Sequence, residues 1–166
     1  MILLESIMHE AVLPAYALLP PKMSSPAASV MVLAIGLQES DFMYRRQLGN
    51  GPAVSFWQME EGGGVHGVMF HPATHAFARH VAAARGVSWD QHAIYERLKS
   101  DDALGAAWAR LLLYTDRAPL PGVHAEPEEA WQYYKRNWKP GKPHREKWDA
   151  CHLAAIHQIV GDPDAH

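Results

Sequence analysis

The chain has 166 residues, enough for one globular domain with a real hydrophobic core and too few for two ordinary ones. Hydrophobic residues make up 48% and charged residues 20%, which excludes a disordered polyelectrolyte. A formal charge of −3, from 15 basic and 18 acidic residues, argues against a nucleic-acid-binding coat, and the lone cysteine, Cys151, excludes an internal disulfide framework or a Cys-based zinc site.

In residues 3–18, Leu3, Ile7, Met8, Val12 and Tyr16 fall near one helical stripe that Pro20-Pro21 closes. The segment is apolar, but it lacks a basic start and is interrupted by Glu5, His9 and Glu10, so no signal peptide is expected. No run approaches 18 uninterrupted apolar residues, so no membrane span is expected either. Ser24-Ser25-Pro26 reads as a serine cap followed by a first-turn proline, opening a mostly buried helix that ends near Ser40. Residues 45–67 change character. Gly49, Gly51 and Pro52, an apolar piece at 54–59 and then Gly62-Gly63-Gly64 predict turn, short strand, turn: a small β-hairpin or ordered loop.

Helical patterning then returns over 72–84, after a cap at Ser88 with Trp89, Ile94 and Leu98, and from Asp101 or Asp102 through Thr115. Pro127 starts another helix that ends near Trp138, and residues 144–160 form the last. The expected fold class is mainly α (α+β), one domain over 1–166 with a small hairpin after its second helix.

Chemistry concentrates in Ala34-Ile35-Gly36-Leu37-Gln38-Glu39-Ser40-Asp41-Phe42. At helical spacing Glu39 stacks over Ile35 and Gly36, on the apolar face and near the helix C-terminus. Desolvation and the negative helix end both disfavour its ionised form, so its pKa should rise. A carboxyl still protonated near neutrality can donate a proton to a leaving glycosidic oxygen. The plainer reading is a buried Glu satisfied by backbone or by Arg45 or Arg46.

Gln-Glu-Ser-x-Phe at the end of an apolar helix resembles the catalytic segment of soluble lytic transglycosylases and, more loosely, goose-type lysozymes. In those families a Gly-rich loop and a Gly-Leu-Met-Gln-like strand follow; here Gly49-Asn50-Gly51-Pro52 precedes Ser55-Phe56-Trp57-Gln58. Glu60 matches the acidic position of goose-type lysozymes, two residues beyond the glutamine. The run 34–65 is also similar to lysozyme-like proteins of phage and prophage tail regions. Tyr114 matches the tyrosine that opens the families' Tyr-Asn-Ala-Gly segment, although Thr115-Asp116-Arg117 follows it here and Ser55 replaces a glycine.

The resemblance implies a lysozyme-like fold and a peptidoglycan-cleaving muramidase that cuts the β-1,4 bond between N-acetylmuramic acid and N-acetylglucosamine. Glu39 is then the general acid and Glu60 the candidate base, with Ser40, Trp57, Gln58 and Tyr114 against substrate. Without a base, a lytic transglycosylase giving 1,6-anhydro ends is implied instead. A non-catalytic tail or virion protein on the same scaffold is the competing class, and a chitin-directed hydrolase a third. The implied partners are glycan strands and phage tail or virion proteins. The implied location is virion-associated or periplasmic, reached through other machinery.

No cofactor and no metal are expected. His71 and His75 are four apart, but Pro72 puts His71 at a helix start, and His66 and His80 complete no HExxH pattern. In the aromatic and basic run 131–150, the spacing of Trp131, Tyr134 and Trp138 reads as a helix core stripe rather than a nucleic-acid platform. Cys151 reads as a small buried residue.

Overall fold

The computed structural model describes residues 2–164. Helix α1 covers residues 2–16, with a π-helical stretch at Met8–Val12. It is followed by α2 (Pro26–Ser40), α3 (residues 61–70, opening with a π-helical turn at Glu61–Val65), α4 (His75–Ala84), α5 (Gln91–Arg97), α6 (Asp102–Tyr114), α7 (Pro127–Trp138) and α8 (Arg145–Val160). None of these helices is long and apolar enough to cross a membrane.

Local chemistry accounts for most of the boundaries. Ser25 Oγ accepts from the Ala28 amide at 3.1 Å and Pro26 occupies the first turn of α2. Asp101 caps α6 by accepting from Leu104 N at 2.9 Å. Asp90, not Ser88, caps α5, through Ala93 N at 2.8 Å. Helix α4 starts at His75 rather than Pro72, because the buried Thr74 hydroxyl turns back to the Val68 carbonyl at 2.7 Å. In α1, Pro14 has no amide to donate and its ring would crowd a regular turn. The π stretch just before it lets Leu13 N reach Met8 O, so the helix continues through the proline.

Helix α2 is apolar nearly all round and forms the centre of the molecule. It packs lengthwise against α8 and also touches α6 and α7. Trp57, Trp108 and Trp148 are the largest fully buried side chains.

The expected α+β class, with a β-hairpin after α2, is overturned. The described residues contain no sheet, only isolated bridges between Arg46 and Val54 and between Val54 and Met59. Val54 and Met59 exchange both backbone hydrogen bonds, at 2.9 and 2.8 Å, yet no ladder grows from them. Ser55 and Gln58 take left-handed backbone angles, with φ of 68° and 50°, so the chain reverses at once. Carbonyls that a strand partner would use go to side chains instead. Phe56 O accepts from Ser40 Oγ at 2.7 Å, and Trp57 O accepts from Trp138 Nε1 at 2.9 Å. The Trp57 ring lies over Gly105 of α6, and its Nε1 donates to the Val32 carbonyl at 2.8 Å. Aromatic anchoring to the helices outweighs the strand-like pattern.

Gly36 makes room for the turn that leaves α2. A Cβ built there would stand 2.1 Å from Phe42 Cζ, and that ring is itself buried. Gly36→Ala should therefore force Phe42 out of place and destabilise the fold by about 1–3 kcal/mol. Urea unfolding checks this; an unchanged midpoint would mean that the turn yields freely.

Candidate active site

Helix α2 ends on Glu39 and Ser40 and is closed by Asp41 in the left-handed region, whose amide donates to Leu37 O at 3.0 Å. Phe42 is left-handed as well, with φ of 54°, an expensive conformation for a bulky side chain. It is held by edge-on contacts with Phe56 and Trp57, at 5.5 and 5.7 Å between ring centres, and by its amide, which donates to Ser40 Oγ at 3.2 Å. Tyr44 donates to the Glu39 carbonyl at 2.9 Å. From α8, Lys147 Nζ donates to the Leu37 carbonyl at 2.8 Å and pairs with Asp41 at 2.9 Å, placing a cation on the negative helix end.

The Glu39 side chain meets α7. Tyr134 Oη donates to Glu39 Oε1 at 2.5 Å. Tyr134 is buried and stacks in parallel on Trp148 of α8, 5.0 Å between ring centres. Trp148 is in turn fixed by its Nε1 donating to the Pro127 carbonyl at 2.9 Å. Burial is the dominant influence on Glu39 and pushes its pKa up to about 7; the Tyr134 hydrogen bond and the Lys147 charge oppose it without cancelling it. Burial and the neighbouring Glu39 raise the Tyr134 phenol well above its ordinary value, so it remains a donor.

A cleft of about 620 Å³ opens at this end of α2. Glu39 and Tyr134 line it, together with Gln58 and Glu60, Gly63 and Gly64 at the start of α3, and residues 137–142 and His144 at the end of α7 and beyond it. The bond between Trp138 Nε1 and Trp57 O ties these two parts of the lining together.

The sequence-predicted residues separate on this geometry. Glu39, Gln58 and Glu60 share the cleft. Gln58 Nε2 donates to the Ser55 carbonyl at 2.7 Å and braces the turn, which leaves its carbonyl oxygen to accept from a ligand. Glu60 is exposed, while its neighbour Glu61 is held by His92 at 2.9 Å.

Two of the expected substrate contacts lie behind the cleft wall rather than on it. Ser40 is fully buried, with its hydroxyl committed to Phe56 O and Phe42 N, and Trp57 is fully buried with its indole N–H on Val32. Both hold the site together from behind. Tyr114 lines a different hollow, with His71 and Thr115. The phenol beside Glu39 is Tyr134, which its spacing had marked only as part of a core stripe. Lys147, in the same aromatic and basic run, was missed because nothing in the sequence brings α8 to the end of α2.

Two of the candidate histidines are engaged singly: His66 Nδ1 with Gln91 Oε1 at 2.8 Å, and His71 Nδ1 accepting from Ala73 N at 3.0 Å. Among the described residues no group of three or more His, Cys, Asp or Glu is placed to hold a metal ion.

Comparisons with protein-family models, with curated proteins and with solved structures find no match for this chain.

The raised pKa has a thermodynamic consequence. Between its unfolded value of 4.5 and about 7, Glu39 holds its proton in the folded protein and loses it in the unfolded chain. Stability therefore falls as pH rises through that window. Glu39→Gln keeps an acceptor for Tyr134 and removes the buried charge. It should leave stability unchanged near pH 4 and raise it by about 2–3 kcal/mol above pH 8. Urea unfolding at both pH values checks this, and equal stabilities at the higher pH would refute the raised pKa.

Tyr134→Phe preserves the stacking but deletes a hydrogen bond that favours the carboxylate. It should move the Glu39 titration upward by about 1–2 pH units, read by carboxyl-labelled NMR.

Proposed function

We propose that this protein is a peptidoglycan-cleaving glycosidase with Glu39 as its general acid, acting on the β-1,4 bond between N-acetylmuramic acid and N-acetylglucosamine. The observation that carries this reading is a carboxyl on the wall of an open cleft, held by burial at a pKa of about 7, where it can deliver a proton at neutral pH. The likeness of residues 34–60 to the catalytic segment of lytic transglycosylases and goose-type lysozymes supplies the substrate class.

The chemistry follows from which oxygen is occupied. Tyr134 donates to Oε1, so the proton of the neutral acid sits on Oε2, free to pass to the glycosidic oxygen as the bond breaks. The carboxylate left behind is the form that Tyr134 and Lys147 stabilise. Their interaction strengthens as the proton departs, as transition-state stabilisation requires.

Two fates remain for the sugar cation. With Glu60 as base, a water enters from across the cleft and the product is a reducing end, with inversion. Glu60 stands exposed, and its carboxylate makes no hydrogen bond or ion pair among the described residues. No group among the described residues orients Glu60, and a second reading does without it: the muramyl 6-hydroxyl attacks the sugar cation, passes its proton to the Glu39 carboxylate and leaves a 1,6-anhydro end. Carriage on a phage tail or virion belongs to the same proposal and rests on the resemblance of residues 34–65.

Purified sacculi treated with the wild-type protein should release muropeptides, with activity falling as pH rises through about 7. Glu39→Gln should lower release by about 100-fold or more while remaining folded. Equal release by the two proteins would remove Glu39 from the mechanism. Mass spectrometry of the products separates the chemistries, because anhydro ends are one water lighter than reducing ends. Sacculus binding without cleavage, unchanged by Glu39→Gln, would favour a non-catalytic tail or virion component.

A further inference from the structure

Between α7 and α8 the chain runs Lys139-Pro140-Gly141-Lys142-Pro143. Lys139 closes α7 in the left-handed conformation, with φ of 51° and its amide donating to Lys135 O at 2.9 Å. The prolines at 140 and 143 fix their own φ, which reduces the conformational freedom of this short segment. Lys139 and Lys142 are exposed, and both line the cleft that contains Glu39.

Many of the other cations are spoken for. Arg45 pairs with Asp102, Arg85 with Asp101, Arg136 with Asp116, Arg145 with Glu128 and Lys147 with Asp41. Lys139 and Lys142 have no carboxylate within ion-pair distance among the described residues, although Glu39 and Glu60 line the same cleft. Beside them the half-buried Trp138 lines the cleft, with its N–H already used on Trp57 O. The cleft thus combines an acid, a half-buried aromatic side chain, and two exposed cations that have no ion-pair partner among the described residues.

We propose that Lys139 and Lys142 form an anion-recognising subsite that takes the carboxylates of peptide substituents carried by the glycan. This rests on the glycan-cleaving reading above and narrows its substrate. A neutral amino-sugar polymer leaves both lysines unpaired, whereas a strand with peptide stems brings carboxylates to the cleft edge. Each lysine carries its charge on a flexible four-carbon stem, which suits stems that vary in position along a strand. Contacts between exposed charges are individually weak and screened by salt, so their effect falls on substrate binding rather than on the chemical step.

The test compares wild type with K139Q/K142Q on three soluble substrates: peptide-bearing glycan strands, the same strands with their stem carboxylates amidated, and neutral chitin oligosaccharides. Wild type should show a KM about three- to tenfold lower for intact than for amidated strands, with the gap closing in high salt. Chitin oligosaccharides should resemble the amidated strands or bind more weakly. The double variant should show the raised KM on both kinds of strand and keep its kcat. A wild type that treats intact and amidated strands alike, or a double variant that keeps the wild-type KM on intact strands, overturns the proposal. Cosedimentation with intact and amidated sacculi reads the same contrast without turnover. Absence of cleavage would therefore count against the glycosidase reading alone, while loss of the preference for intact sacculi would count against the lysine subsite.

Discussion

Taking the Glu39 carboxyl out of water costs free energy that one phenol and one ammonium group offset only in part. A full ion pair would hold the group ionised, and an apolar pocket with no donor would leave a carboxyl without a fixed direction. Tyr134 bonded to one oxygen, with Lys147 serving the helix end and Asp41, leaves the acid between these limits. Much of the local architecture serves that balance. The ring of Trp148 carries Tyr134, the Pro127 carbonyl holds Trp148, and α8 lies along α2 so that Lys147 reaches the last carbonyls.

The segment behind the carboxyl is strained and held by aromatic side chains. Two consecutive left-handed residues, Asp41 and Phe42, end α2, and two more, Ser55 and Gln58, reverse the chain farther along. Conformations of this kind cost about 1–3 kcal/mol each in sparsely populated regions and persist only where packing over-determines them. Here Phe42, Phe56 and Trp57 meet edge to face, and Ser40 stitches the two turns together through Phe56 O and Phe42 N. Ser55 stands where the resembled families carry glycine. Its hydroxyl accepts from Trp57 N at 3.1 Å, a bond that glycine would not make and that compensates for its left-handed backbone.

Much of the helical framework was legible in the sequence because caps and breakers act over a few residues. Ser25 with Pro26, Asp101 and Pro127 all mark helix starts that the structure contains. Glu39 was legible as a carboxyl at the end of a buried apolar run, but α2 is buried nearly all round, so periodicity did not pick out the side it faces. The hairpin was not, since residues 54–59 carry a strand-like pattern whose rings are claimed by α2, α6 and α7 rather than by a neighbouring strand. Ser40 and Trp57 were polar or aromatic residues next to the acid, and proximity along the chain said nothing about which side of the wall they occupy.

What the order of residues settled unaided is local: where several helices begin, that α2 is buried, and that an acid stands near its C-terminus. Tertiary packing alone settled which groups meet that acid. Tyr134 is 95 residues away from Glu39 along the chain and Tyr114 lies closer to it, yet only Tyr134 reaches it. Helix periodicity fixes the face of a residue on its own helix, whereas the meeting of two faces depends on how α7 and α8 pack against α2. That packing is a sum over many apolar contacts, and no short stretch of sequence records it.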